Sequence, residues 1–478
     1  MLEMALSAYR VEDKEKTPSN KRKKKLATFD IETDPFLYGR VPEPFCCGIY
    51  IEGGEYYEFW GEDCIEQFIH FLWRYKTPLQ IFAHNGGKFD FIYLLQTGVL
   101  EGRPRIINGR IVEAKLAHHT LRDSLAILPV ALGSYQKDEI DYKKFEAETR
   151  EEYREEILAY LKADCKYLLE FVGKFIARFG DHLTIGSLAI KTLLEYHPFE
   201  KINESLDAEI RKYFFGGRVQ AFEKGVINAR VKVYDVNSMY PSVMKNEKHF
   251  VSTGAVFKRD NPAKYLDLKT GELLGKYKGR PYFIEFYGNN KNALPVRVEN
   301  GSLDFTVKRG KFRAGSHEIK VALTHGLIDI EDILEIVISG EPISFGEYVD
   351  TFIKDKIEAK ENKDKAGELF AKLLLNSAYG KTAQNARKYH DYIFIDPLDA
   401  EKVIKWNRAI VAEWEESNGE KFDKNTHYEN PPKKWKLHDY IDDVIEIYKK
   451  PIEEYHFFDV GIGASITSAA RAFLLEAI

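Results

Sequence analysis

The stretch VKVYDVNSMYPSVM (231–244) constrains the fold of this chain more than any other. Val231, Val233 and Val236 are β-branched and Tyr234 lies among them, so the run reads as a buried strand. Asp235 sits inside it. A carboxylate in so apolar a setting is costly unless it is paired, caps a turn or holds a metal. Asn237 and Ser238 are turn-formers, and Pro241 suits the first turn of a helix. A strand ending in Asp and a tight turn presents one carboxylate, and the exposed backbone of Val236, at its tip. That geometry suits a divalent metal carrying phosphates.

A second set of acids lies nearer the N-terminus. LATFDIET (26–33) reads as a strand whose alternation puts Asp30 and Glu32 on one face. Their flanks are apolar, so a shared cation explains the like-charged pair better than incidental exposure. IFAHNGGKFDFIYLL (81–95) runs from a strand into His84-Asn85-Gly86-Gly87, with Asp90 just before an apolar helical run. ETREEYREEILAYLKADCKYLLEFV (148–172) has helical periodicity. Tyr160 and Asp164, four apart, share its apolar face, which directs Asp164 inward. Any one of these acids alone reads as an ordinary surface residue. Convergence on two divalent metals about 3.5–4 Å apart, activating a water against a phosphodiester, accounts for the whole set.

The length of 478 residues predicts about three domains. With 44% hydrophobic and 30% charged residues, the chain has enough for sizeable cores and a soluble surface. No apolar run reaches the roughly 20 residues that span a bilayer, and the polar N-terminus carries no secretory signal. Cys46, Cys47, Cys64 and Cys165 show no paired C-x-x-C spacing, which disfavours zinc and fits a reducing compartment. The net charge of −5 neither supports nor excludes nucleic acid, because basic residues need only line a groove.

D-x-x-S-x-Y-P at 235–241 resembles motif A of the family B DNA polymerases. DVNSMYP is most similar to the protein-primed branch of phages and linear plasmids. The succession D-x-E, N-x-x-x-F-D and Y-x-x-x-D resembles the three motifs of the family B 3′–5′ proofreading exonuclease. KDEIDY (137–142) is similar to the branch's lysine-containing motif. The resemblance implies that Asp30, Glu32, Asp90 and Asp164 hold metals, that Tyr160 orients the attacking water, and that Lys137 stabilises charge on the phosphate. It implies that Thr33, His84, Asn85, Phe89 and Ser124 hold the frayed primer strand. The GGK loop (86–88) is one residue longer than the family's pattern, so the aim of Asn85 is open while that of Asp90 is not.

YFFGGRVQAF (213–222) resembles the Y-x-G-G motif that couples the two activities, with Phe214 at the tyrosine position. Gly216 and Gly217 let backbone approach DNA, and Arg218 meets a phosphate. Residues 346–381 read as one long helix ending in KLLLNSAYG (372–380), which resembles motif B. The resemblance implies that Lys372 binds the triphosphate, that Asn376 and Tyr379 pack near the nascent base pair, and that Tyr240 lies under the incoming sugar, while Gly380 lets the helix end or bend. GIGASITSAARAFLLEAI (461–478) reads as a small-residue turn and an apolar helix. Thr467 and Arg471 match the T-x-x-x-R element that contacts the primer–template backbone. YIDD (440–443) mimics a reverse-transcriptase string but is taken as incidental.

The expected architecture is multidomain, α/β and α+β. It has a basic flexible tail (1–25), an RNase H-like 3′–5′ exonuclease domain (26–180), and a right-hand polymerase palm and fingers (181–478). Branch-specific insertions are expected at about 250–345 and 385–455. Expected cofactors are Mg2+ or Mn2+, two ions per site, with Asp235 and the Val236 backbone as palm ligands and dNTP as substrate. Expected partners are primer–template DNA, single-stranded DNA and a terminal priming protein, in a bacterial host cytoplasm. The family's second palm carboxylate lies in Y-x-D-T-D-S after the T-x-x-x-R helix, and no such string occurs in the 478 residues. The expectation is a C-terminally incomplete polymerase, lacking motif C and thumb, with a second polypeptide as the candidate source of both. A stand-alone 3′–5′ nuclease and a DNA-binding remnant are the alternatives.

Overall fold

The computed structural model describes residues 24–35, 41–221, 223–395, 415–416, 419, 421, 436–441, 445–452 and 457–477. The first 23 residues, Asp442, Asp443 and most of 396–435 lie outside the described residues, and with them the tail, the YIDD acids and much of the second insertion.

The N-terminal unit is built on a seven-stranded sheet in the order β3-β2-β1-β4-β7-β6-β5. Its strands are β1 (Lys25–Thr33), β2 (Pro44–Ile51), β3 (Glu55–Trp60), β4 (Leu79–Ala83), β5 (Glu101–Ile107), β6 (Arg110–Leu116) and β7 (His119–Asp123). β1 runs antiparallel to β2 and parallel to β4, so it is central. Being covered on both faces, it reads as a nearly continuous apolar run, as interior strands do. α1 (Cys64–Arg74) packs on one side through Phe68, whose ring stacks on Phe29 at 4.1 Å. α2 (Asp90–Gln96) follows β4. α3 (Arg154–Phe179) lies across β1, where Thr28 Oγ1 donates to the Cys165 carbonyl at 2.7 Å.

α3 also carries the joint to the C-terminal unit. Phe171 stacks on Phe370 at 5.7 Å, Phe175 meets the same ring edge-on, and Arg178 pairs with Asp355 at 2.7 Å. Burying aromatic side chains of this size contributes about 1.5–3 kcal/mol each. α4 (Ile185–Tyr196) continues that core and α5 (Glu204–Arg211) leads out of it. Next come α6 (Met239–Asn246), β8 (Val256–Lys258), β9 (Tyr282–Asn290), β10 (Arg309–Gly315), α7 (Ser316–Thr324) and β11 (Ile328–Ile338). The four strands form an antiparallel sheet in the order β10-β9-β11-β8. α8 (Gly346–Glu361) and α9 (Lys365–Thr382) form a hairpin. β12 (His390–Ile395), β13 (Lys436–Ile441) and β14 (Ile445–Pro451) make a small sheet, and α10 (Val460–Ala477) closes the described chain.

Four expectations need correction. The 231–236 run is not a buried strand: residues 223–236 have no regular structure, and Val233 and Tyr234 are 92% and 84% exposed. The cause is lack of a neighbour. A strand needs a hydrogen-bonded partner, and among the described residues none pairs with this one. The long helix at 346–381 is two helices. Lys363 takes a left-handed φ of 54°, and Asp364 caps α9 by accepting from Gly367 N at 3.0 Å. α9 also runs past Gly380 to Thr382. Finally, GIG at 461–463 belongs to α10 rather than to a turn. A Cβ at Gly461 would fall 2.6 Å from Phe250, and one at Gly463 2.7 Å from Ala383, so these glycines permit close helix packing.

His249 supplies a pH-dependent contribution to stability. It is fully buried, donates to the Val243 carbonyl at 2.9 Å and stacks on Phe345. Burial, then the neighbouring His317, lowers its pKa to about 3, against 6.5 when unfolded. The unfolded chain therefore binds the proton first as pH falls through 6.5. Stability is complete above that pH and declines toward 3. His249→Gln should lose about 1 kcal/mol less stability than the parent between pH 7.5 and 5.5, measured by urea unfolding.

Candidate active site

Central strand β1 delivers Asp30 and Glu32 side by side. Asp90 is the first residue of α2, and Asp164 reaches in from α3; both are buried. The four sense one another electrically. Burial and the charge of Asp164 push Asp30 up to about 7. Burial and Asp30 hold both Glu32 and Asp90 well above the usual carboxylate range. Asp164 is raised by burial in spite of Lys137, whose Nζ lies 3.4 Å from its Oδ2. Burial alone would lower Lys137, but Asp164, Tyr142 and Asp30 leave it raised and charged. Its Nζ also lies 5.6 Å from the Tyr160 ring centroid. The Tyr160 hydroxyl is pushed up by burial and its hydrogen bond with Tyr142, so it stays protonated and can orient a water.

Such a cluster is relieved either by protonation or by a bound cation. Asp90 Oδ1 and Asp164 Oδ1 are buried with no hydrogen-bond partner. The donor set is all oxygen, as Mg2+ or Mn2+ prefers. These residues therefore fit the divalent ions the motifs imply. Among the described residues no three His, Cys, Asp or Glu side chains close around one point as a preformed cage, so the acids meet as repelling carboxylates rather than a finished shell.

Beside the cluster, His84 bridges Ser124 Oγ at 2.9 Å and the Val130 carbonyl at 2.8 Å. Burial lowers its pKa, which keeps it neutral near pH 7. Asn85 is exposed in a left-handed turn with φ 66°, and its Oδ1 accepts from Arg110 at 2.8 Å. Asn85 is thus aimed at Arg110. Arg110 also pairs with buried Asp123 at 2.6 Å, and Asp123 accepts from Gly87 N at 3.1 Å. Sequence reading missed both residues; the Asp-Ser following β7 was the available signal. A Cβ on Gly87 would strike the Ile111 carbonyl, so this loop admits only glycine there. Thr33 and Ser124 are buried close by, and Phe89 meets Tyr93 edge-on at 5.5 Å.

In the C-terminal unit Tyr240, on α6, and Tyr379, on α9, stack at 4.3 Å and 7°. A Cβ on Gly217 would fall 2.8 Å from the Tyr240 hydroxyl, which brings the Gly-Gly loop against the same pair. Lys372 and Asn376 are exposed one turn apart on α9. Asp235 and the Val236 backbone lie in the exposed unpaired segment. Arg218 Nη2 donates to Gln220 and to the Asn292 carbonyl, and its guanidinium stands over Phe305.

Two residues expected to contact DNA are buried. Thr467 is buried and donates to the Ala464 carbonyl at 3.1 Å. Arg471 is 2% exposed, and its donors go to Glu318 at 2.8 and 2.7 Å and to the Phe215 and Gly216 carbonyls at 2.7 Å each. The apolar, small-residue face that carries them packs inward, and both side chains have protein partners there. Tyr213, beside the motif position held by Phe214, is likewise committed inward, to Glu335 at 2.6 Å.

Residues 133–447 match the family model of DNA polymerase type B, organellar and viral. The DNA-directed DNA polymerase of Enterobacteria phage PRD1 is 40% identical over 465 residues, 96% of this chain and 75% of that protein. The chain belongs to the type B DNA polymerases of organelles and viruses. Within that family it falls in the protein-primed phage branch, as its motif A indicates. A probable DNA polymerase of Podospora anserina is 24% identical, over 68% of this chain and 27% of its own length. The fold is that of Phi29 DNA polymerase complexed with primer-template DNA: TM-score 0.65 at 16% identity, covering 95% of this chain and 77% of that one. No described helix of this type B polymerase chain is long and apolar enough to cross a membrane.

Proposed function

We propose that this chain is the exonuclease and polymerase body of a protein-primed phage replicase, and that its N-terminal cluster removes nucleotides from DNA 3′ ends. The observation that carries the nuclease reading is the set Asp30, Glu32, Asp90 and Asp164, each raised in pKa by burial, with an unpartnered oxygen on two of them. When bound, divalent ions supply an activated water and neutralise charge on the scissile phosphate. The chain's own residues do the rest. The four acids hold the ions, Tyr160 donates a hydrogen bond that orients the water, and charged Lys137 faces the phosphate. His84, Asn85, Phe89, Thr33 and Ser124 steady a single strand by polar contacts and stacking.

In the second unit, Lys372 meets the triphosphate of an incoming dNTP, and stacked Tyr240 and Tyr379 floor its sugar and base. The DNA-bound Phi29 enzyme of the same fold supports primer–template and single-stranded DNA as partners. A terminal priming protein and a bacterial host cytoplasm follow from the protein-primed phage reading of motif A, and the 40%-identical relative is itself a phage polymerase. The exposed Val231–Val236 segment favours a narrower reading for these 478 residues, a nuclease whose polymerase portion grips DNA.

A 5′-labelled primer–template with Mg2+, with and without dNTPs, separates these readings. Progressive shortening that stops in EDTA is the expected result. Elongation with dNTPs marks a working palm, and no change under any condition refutes the nuclease.

A further inference from the structure

We propose that the buried Arg471–Glu318 pair is a positioning device that holds the loop at 214–217 by its carbonyls and so sets how that loop meets primer–template DNA. The proposal rests on the DNA-binding reading above. Arg471 on α10 and Glu318 on α7 are 2% and 1% exposed as a bidentate pair. The remaining guanidinium nitrogen, Nη1, donates to the Phe215 and Gly216 carbonyls. Arg297 takes the preceding carbonyl, that of Phe214, at 2.7 Å. Both guanidiniums stand near the Phe215 ring, at 5.8 and 5.5 Å. Three successive carbonyls are therefore held by arginines from two elements, and the next residue, Gly217, abuts the Tyr240 hydroxyl. Further anchors fix the segment before the loop. Lys212 and Tyr213 meet Glu335, and Arg211 reaches the Ala383 and Gln384 carbonyls just past α9. A planar, five-donor guanidinium can serve a carboxylate and two carbonyls at once, which an ammonium cannot.

A direct phosphate contact and a positioning role predict different behaviour from Glu318. As a buried acid it cannot touch DNA, so its loss weakens DNA binding only through the loop. The test uses the full 478-residue chain in EDTA, as the parent, as Glu318→Gln, and as the double variant Arg471→Met with Glu318→Leu. The double variant removes both charges together, which spares the fold the cost of one unpaired buried ion. Hydrogen exchange should show faster amides in residues 213–218 of the double variant, with the four-stranded sheet still protected. Affinity for a primer–template should fall severalfold in both variants, with single-strand affinity retained. The slope of log affinity against log salt should stay at the parent value, because no phosphate contact is lost. Unchanged exchange at 213–218 overturns the proposal. So does a slope shallower by about one in the double variant with Glu318→Gln behaving as parent, which marks a direct phosphate contact. A melting-temperature drop with equal loss on both DNA forms also overturns it, since the pair is then structural only. If the parent itself does not bind primer–template, the polymerase reading falls, and the exchange data still decide whether the pair holds the loop.

Discussion

Asp30→Ala or Asp164→Ala should abolish divalent-metal-dependent removal of 3′ nucleotides while leaving the chain folded. Each substitution deletes one member of a cluster whose charge stabilisation through bound metal is worth several kcal/mol. At about 1.4 kcal/mol per tenfold in rate, the loss spans several orders of magnitude. The fold survives because these carboxylates destabilise it. Asp30 is pushed up to about 7 by burial and by Asp164, so removing either acid relieves repulsion. Asp164→Ala releases Lys137, whose side chain is 38% exposed and can be solvated. Thermal melting should therefore match or exceed the parent while the labelled-primer gel shows intact substrate. Unchanged digestion in both purified variants would refute the site.

Primer extension by residues 1–478 with dNTPs and Mg2+ should be absent or marginal until a second palm carboxylate is supplied. Two-metal nucleotide addition needs two acids, and the motif reading offers one, Asp235. Among the described residues, the buried acids of the C-terminal unit are already committed. Glu318 is paired with Arg471, and Glu335 with Lys212 and Arg259. Asp207 is paired with Arg211 and Arg387. Asp459 caps the start of α10, accepting from Ser252 N at 2.6 Å and Gly461 N at 2.8 Å. The segment carrying Asp235 also lacks a pairing strand among the described residues, so its carboxylate is not yet aimed. Adding a polypeptide with the Y-x-D-T-D-S hairpin should restore synthesis. Robust extension by the 478 residues alone, abolished by Asp235→Ala, would instead point to Asp442 or Asp443 as the completing acid.

Part of the candidate site's geometry was legible in the chain alone. Asp30 and Glu32 share a face by strand alternation, and Tyr160 and Asp164 share one by helix spacing. Both patterns are local, so the structure reproduces them. The family was legible for the same reason: short motifs in a fixed order require no knowledge of packing. Contacts between distant segments were not legible. Arg471 reads as a basic residue ready for DNA, yet its partner is Glu318, 153 positions away, and only the packing of α10 on α7 brings the two together. Asn85 meets Arg110 across 25 positions, and Asp123 locks the same loop from another strand. Val231–Val236 marks the boundary most plainly. Its β-branched residues specify a strand, but a strand exists only with a hydrogen-bonded neighbour. Local sequence therefore determined what each segment could be, and tertiary contact decided which of them had the partner needed to become it.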